Sequence, residues 1–462
     1  MVQSAAGLKK RRAFKRYHLA AGIVLLSGLA LAGLPQAVAP VPSAAPGDFP
    51  LTFYKLKNGL TVILSEDNTL PLVSVVVAYG AGSIHEQPGK TGLATLMENL
   101  MFSGSLDVPP LQHINFINRV GGTLSAAAAE DKTIFYQTLP SYQLALALWL
   151  ESDRMRFLDI DEARVAKARS ELFADIRERQ VNEPYWKSLS LFDPLIYSGF
   201  PFNHTLSGAE EDISGLTLDD VKAFYATYYA PTNAVLCITG DFNKIKAREL
   251  VSRYFDTLPR GKDITPAFEL PPGPNRKPVI TTVVDPIAPS PAFTMGFRLS
   301  APQSPEFYTL VVLDYVLLRG RTSRLIRRLL NPDKKIAFRV AGGIEQRLDR
   351  AVYKISVIAT PTMIEPCQTA IFDELARIKQ NFLSAAELDR YKAILKQDYY
   401  RRISNSLDRA LLLVNNWFSL RDFSTASSEL RRYLAVTPID IVGIASRYFT
   451  PANSVILNVR MN

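Results

Sequence analysis

The sequence predicts an α+β protein of two homologous modules, each a sheet covered by helices. Two observations carry this expectation. Short β-branched segments alternate with longer stretches of helical periodicity, and one composite pattern occurs twice at a fixed offset. Leu216-Thr217…Asp220…Tyr228-Tyr229-Ala230-Pro231-Thr232-Asn233-Ala234-Val235 recurs 220 residues later as Val436-Thr437…Asp440…Tyr448-Phe449-Thr450-Pro451-Ala452-Asn453-Ser454-Val455. Each copy reads as a helix, a Pro/Asn turn and a final apolar strand, so each module ends in the same way.

The first module supplies the clearest elements. Leu60–Leu64 and Leu72–Val77 are β-branched and bounded by Asn58-Gly59 and Pro71, as strands are. Gly89–Phe102 carries Leu93, Leu96, Met97, Leu100 and Met101 at helical spacing. Ser141–Phe157 and Glu162–Arg179 read as further helices. Sheets covered by helices follow, rather than a doubly wound nucleotide-binding fold, and no Gly-rich phosphate loop is present.

Composition sets the remaining boundaries. The 462 residues are 47% hydrophobic and 21% charged, enough for more than one core. The net charge of +9 is concentrated at one end. Lys9, Lys10, Arg11, Arg12, Lys15 and Arg16 occur with no acidic residue nearby, and without them the balance is only +3. A nucleic-acid partner is therefore not expected. The same cluster precedes the uncharged run Leu19–Leu34, which gives residues 1–32 the parts of an export signal. Cleavage after Ala32 leaves Gly33 first; the alternative is an uncleaved membrane anchor. Either predicts an exported chain, periplasmic or anchored facing the periplasm. Residues 33–49 read as a flexible leader, 50–257 as the first module, 258–278 as a Pro-rich linker and 279–462 as the second module. Cys237 and Cys367 are expected as separate buried thiols, and no Cys-x-x-Cys is present.

Several signatures occur in order from about Leu51 onward. They are Leu56-Lys57-Asn58-Gly59-Leu60-Thr61-Val62, Gly82-Ser83-Ile84-His85-Glu86, Gly92-Leu93-Ala94-Thr95-Leu96-Met97-Glu98-Asn99 and Gly121-Gly122-Thr123-Leu124-Ser125-Ala126, with Thr322-Ser323-Arg324-Leu325 in the second module. Together they resemble the pitrilysin/insulinase (inverzincin) zinc metallopeptidases, in the short form typified by the mitochondrial processing peptidase. The resemblance implies a zinc site built from two histidines one helical turn apart, an intervening glutamate base and a later acidic ligand. Here Thr95 and Asn99 stand at the histidine positions, Glu98 keeps the base position as a vestige, and Asp175 stands at the third ligand position. A hydroxyl and an amide are poor zinc ligands beside imidazole. Without the metal, water keeps a pKa of about 15.7 rather than roughly 7, and Glu98 has nothing to deprotonate. None of the four histidines, His18, His85, His113 and His204, is placed to substitute. The expectation is a degraded site with no cofactor.

The resemblance also implies substrate contacts. The segment Gly121–Phe135, with Gly122, Ser125 and Ala126, corresponds to an edge that pairs with extended peptides. In the second module Asn331 and Phe338 occupy the positions of a substrate-binding arginine and tyrosine, so that contact is weakened as well. Relatives of this length resemble half of a clamshell, pairing with a second chain. The function implied is therefore that of a non-catalytic subunit of an exported zinc peptidase, forming a heterodimer with an active, zinc-bearing homologue around a peptide substrate. Two alternatives stay open: an active metalloendopeptidase with an altered site, and a structural scaffold without a protease partner.

Overall fold

The computed structural model describes residues 49–198, 204–264, 277–331, 333, 335–347, 350–420 and 428–462. The export signal, almost all of the leader and most of the linker lie outside them. No helix among the described residues is long and apolar enough to cross a membrane.

The protein is α+β, with two mixed sheets covered by helices. The first half contains β1 (Thr52–Lys55), β2 (Thr61–Glu66), β3 (Leu72–Tyr79), β4 (Thr123–Ala128), β5 (Thr133–Pro140) and β6 (Ala234–Gly240). Its helices are α1 (Leu93–Leu100), α2 (Gln112–Arg119), α3 (Leu144–Arg156), α4 (Glu162–Asn182), α5 (Trp186–Ser190), α6 (Phe192–Ile196), α7 (Glu210–Gly215), α8 (Leu218–Tyr228) and α9 (Lys244–Phe255). The second half contains β7 (Val279–Val284), β8 (Ala292–Leu299), β9 (Arg339–Arg347), β10 (Arg350–Ile358) and β11 (Ser454–Arg460). Its helices are α10 (Glu306–Leu317), α11 (Arg324–Leu329), α12 (Ile364–Gln380), α13 (Ala385–Ser404), α14 (Ser406–Leu420), α15 (Glu429–Ala435) and α16 (Pro438–Tyr448).

The sequence repeat becomes a repeat of topology. The strand orders are β1-β2-β6-β3-β5-β4 and β7-β11-β8-β10-β9, identical once β1 is set aside. In each sheet the last strand runs parallel to one neighbour, β2 or β7, and antiparallel to the other, β3 or β8. The repeated residues explain why. Thr217 and Thr437 cap α8 and α16 through capping boxes with Asp220 and Asp440. Asn233 then donates to the carbonyls of Gly80 and Tyr228, and Asn453 donates to those of Arg298 and Tyr448. Each asparagine thus ties the helix end to the antiparallel neighbour strand, β3 or β8, fixing the entry of the final one.

Two expected elements change extent. The helix expected over Gly89–Phe102 forms only over Leu93–Leu100, because Gly92 is left-handed at φ +90°. The segment Gly121–Phe135 is a hairpin rather than one edge: β4 is outermost, whereas Thr133 and Phe135 lie in β5, fully buried.

The main core of each half lies between its sheet and its long helices. The other face of each sheet is covered from across the molecule. Ala410, Leu413, Val414 and Phe418 of α14 pack on Ile63, Val76, Ala78, Val235 and Cys237 of the first sheet. Conversely, Phe192, Ile196 and Tyr197 pack on Val352, Val455 and Leu457 of the second. Gly296 of β8 makes room for this, since a Cβ there would lie 2.5 Å from side-chain atoms of Ile196 and Phe192. Each fully buried large apolar side chain contributes about 1.5–3 kcal/mol. Cys237 and Cys367 are both free and buried.

This exchange makes a testable statement. Phe192→Ala is expected to cost about 3–5 kcal/mol and to raise amide hydrogen exchange in β8 and β11 of the opposite sheet. Loosening confined to the first sheet would contradict the exchange.

Candidate functional site: a rewired helix face beside an open strand edge

Helix α1 begins at Leu93 because Glu86 holds its start. The Glu86 carboxylate accepts from Gly92 N at 2.9 Å and from Ala94 N at 2.7 Å, satisfying amides that a helix N-terminus leaves without partners. Burial pushes this carboxyl up to about 8, although the two amides favour its charged form. Asp212 performs a neighbouring task, accepting from the hydroxyl and amide of Thr91. Sequence reasoning assigned Glu86 to a motif but gave it no role. The available signal was an acidic residue just ahead of two glycines and an apolar helix.

The degenerate positions share this helix and its neighbour α4. Thr95, Glu98 and Asn99 are all half-buried on α1. The Thr95 hydroxyl donates to Leu206 O at 2.8 Å. Glu98 Oε2 accepts from Ala128 N at 2.8 Å, clamping α1 to the end of β4. Asp175, on α4, is ion-paired with Arg179 at 3.0 Å. This donor set does not fit zinc. A hydroxyl committed to a carbonyl, a carboxamide and an arginine-paired carboxylate replace the imidazoles and free carboxylate that hold the metal. Among the described residues, no group of three or more His, Cys, Asp or Glu side chains is placed to hold a metal ion.

Two histidines expected to stand alone have acidic neighbours. His204 Nε2 lies 3.8 Å from Glu86, and buried His113 lies 4.0 Å from Glu151. The His113 ring faces Gln137 at 3.4 Å beneath the Glu151–Arg154 pair, and burial, aided by Arg154, holds it well below its ordinary pKa. It is a neutral core residue. His85 accepts from Gly82 N and is likewise lowered by burial, to about 4.

Among the described residues, no strand pairs with the outer edge of β4. Ala128 N points at Glu98 and therefore away from β5. Strand alternation directs the backbone groups of Leu124 and Ala126 the same way. Gly122 sits just ahead of the strand, where a Cβ would press on Ile117 and Leu139. Ser125 Oγ lies 3.5 Å from Ala126 O. An extended peptide could add here through main-chain hydrogen bonds, with no metal involved. Asn331 and Phe338 belong to the second half. Asn331 Oδ1 accepts from Asp333 N, while Phe338 is 53% exposed immediately before β9.

Comparison with known proteins agrees with this fold. Residues 61–203 match the family model described as insulinase (peptidase family M16), and 215–395 match that described as peptidase M16 inactive domain. The chain belongs to the M16, or insulinase, peptidase family. It is 26% identical over 402 residues to zinc protease PqqE of Helicobacter pylori, covering 86% of this chain and 90% of that protein. It is also 26% identical over 223 residues to the mitochondrial-processing peptidase subunit beta of Blastocladiella emersonii, covering 46% and 47% of the two chains. The crystal structure of a protease from H. pylori superposes with a TM-score of 0.84 at 25% identity, covering 89% of this chain and 99% of that one. The periplasmic protease PqqL of Escherichia coli superposes with a TM-score of 0.74 at 17% identity, covering 91% of this chain but only 48% of that one. In this M16 chain the fold is retained, and Thr95 and Asn99 lie one turn apart on α1.

The Glu86 cap carries a pH signature. A carboxyl raised by folding takes up a proton between its unfolded value of 4.5 and about 8, so its contribution to stability falls as pH rises across that window. Glu86→Gln removes this dependence. The stability gap between the native protein and the variant, measured by urea unfolding, is expected to narrow from about pH 5 to about pH 8. A gap constant over that range contradicts the assignment.

Proposed function

We infer that this chain is the non-catalytic subunit of an exported M16 peptidase. It pairs with a zinc-bearing homologue and encloses a peptide-binding chamber with it. The observation that carries the reading is a contrast within one site. The metal-ligand positions are diverted to other partners, Thr95 to Leu206 O and Asp175 to Arg179, whereas among the described residues no strand covers the β4 edge at Leu124 and Ala126. Groups that would do chemistry are engaged elsewhere, and the main chain that would hold a peptide lies along an outermost strand.

Size supports the pairing. This chain covers about half of E. coli PqqL, so two such chains match one protein of that length. The basic cluster and apolar run at the start of the sequence support export to the periplasm, either after signal cleavage or on an anchor. The chain's own residues then act by position. Leu124 and Ala126 pair with the backbone of an extended substrate, Glu98 fixes that strand against α1, and Asn331 and Phe338 line the second half of the wall. Hydrolysis takes place at the partner's metal, and no step is assigned to this chain.

The test is reconstitution with an intact His-x-x-Glu-His homologue. The two are expected to co-purify one to one, and omission of this chain is expected to lower the partner's peptide cleavage about tenfold or more, the scale at which positioning acts. Glu98→Gln in this chain is expected to leave cleavage unchanged. Full activity of the partner alone contradicts the reading, as does a strong loss from Glu98→Gln.

A further inference from the structure

The stretch from Arg319 to Arg339 holds eight basic residues against one acidic residue, Asp333. Part of this charge is neutralised by design. Arg319 pairs with Asp314, Arg324 with Glu387 and Glu374, and Arg328 with Asp373 and Glu374. Those pairs use the nearby acids of α10, α12 and α13. Arg321, Arg327, Lys335 and Arg339 are exposed and form no ion pair among the described residues. Arg327 lies in the field of Glu387, whose carboxylate is already held low by the hydrogen bonds it accepts from Arg324.

Contacts between neighbouring segments relate the stretches of chain that carry these four cations. The chain after α11 turns back, with the amides of Ile336 and Ala337 donating to Leu329 O. Arg339 opens β9, an outermost strand of its sheet among the described residues. At mid-strand, Gly343 leaves room for Arg319, since a Cβ there would lie 2.1 Å from its guanidinium. The loop between α10 and α11 therefore lies against β9. Beside Arg339, Phe338 exposes a large apolar ring. Cations gathered without counter-charges repel one another, and an anionic ligand relieves that cost.

We propose that this tract selects acidic peptide segments, so that the substrates held by this subunit are extended polypeptides carrying Asp or Glu. The proposal rests on the chamber reading above and adds a substrate class to it. A polypeptide suits the surface better than a polyphosphate or a lipid headgroup. An outermost strand offers main-chain pairing and Phe338 offers apolar contact, and neither group serves a phosphate.

The test measures binding of fluorescent peptides to the full-length chain by anisotropy. One peptide alternates Glu and Val; its counterpart replaces each Glu by Gln. The acidic peptide is expected to bind about tenfold more tightly at low salt, with the difference shrinking as salt is raised. Reversing the four charges (R321E, R327E, K335E, R339E) should abolish the difference while leaving the melting temperature and the binding of the Gln peptide unchanged. Equal binding of the two peptides to the native chain overturns the charge selection and leaves the chamber reading standing. Failure of both peptides to bind overturns both. Inorganic polyphosphate or anionic vesicles binding as tightly as the acidic peptide, with the same loss in the variant, would reassign the tract to phosphate and overturn the proposal.

Discussion

Neither sheet of this protein can bury both its faces with helices from its own half. The strands demand two-sided cover: Val75, Val76 and Val77 of β3 are all fully buried, although successive residues face opposite sides. The long helices of each half fill one face. The other is closed by exchange, α14 crossing to the first sheet and α6 to the second. The rest of the molecule depends on this reciprocity, because the halves complete each other's cores instead of meeting across a wet interface.

Polar groups fix the register of the exchange. Burial works against the Asp193 carboxylate on α6, but Lys354 and Arg347 of the second sheet outweigh it and hold the group below its ordinary pKa. Arg347 also reaches Glu130 at 2.7 Å, in the turn that joins β4 to β5. On the opposite side, Arg409 of α14 is buried against Asp67 and Ser65. Charges held this far from water are costly to leave unpaired, so alternative dockings of the two halves are penalised. The end of β9 is thereby tied to the hairpin that ends β4. The outermost strands β4 and β9, the latter beside a basic tract, thus keep a fixed relation to each other.

Much of this was legible in the residues. The repeat at a constant offset led to the paired topology because its conserved members do local work: threonine caps, proline starts a turn, and asparagine bonds two carbonyls. The identities of Thr95, Glu98, Asn99 and Asp175 could also be read, since their spacing is that of one helical face and a later helix. Their partners could not. That Thr95 donates to Leu206 O, or that Asp175 is answered by Arg179, depends on loops and rotamers that local periodicity does not encode. The exchange of α6 and α14 was not read. Leu72–Val77 reads as a strand, but no local pattern states which helix covers either of its faces. Phe135 was misplaced because an apolar β-rich stretch reads alike at an edge and in the interior until the turn at Glu130 and Asp131 is recognised. The role of Glu86 was missed because a cap seven residues ahead of the first helical residue lies outside the usual N-cap window.

The central claim is that the metal-ligand positions of α1 and α4 have been diverted to structural partners while the peptide-holding frame is kept. Zinc content states it most directly. The purified full-length chain, equilibrated with zinc and then dialysed, is analysed by inductively coupled plasma mass spectrometry. The account predicts zinc far below one ion per chain, with no rise in melting temperature on adding the metal. One tightly held zinc per chain, stabilising the fold and lost on Thr95→Ala or Asp175→Ala, would contradict it.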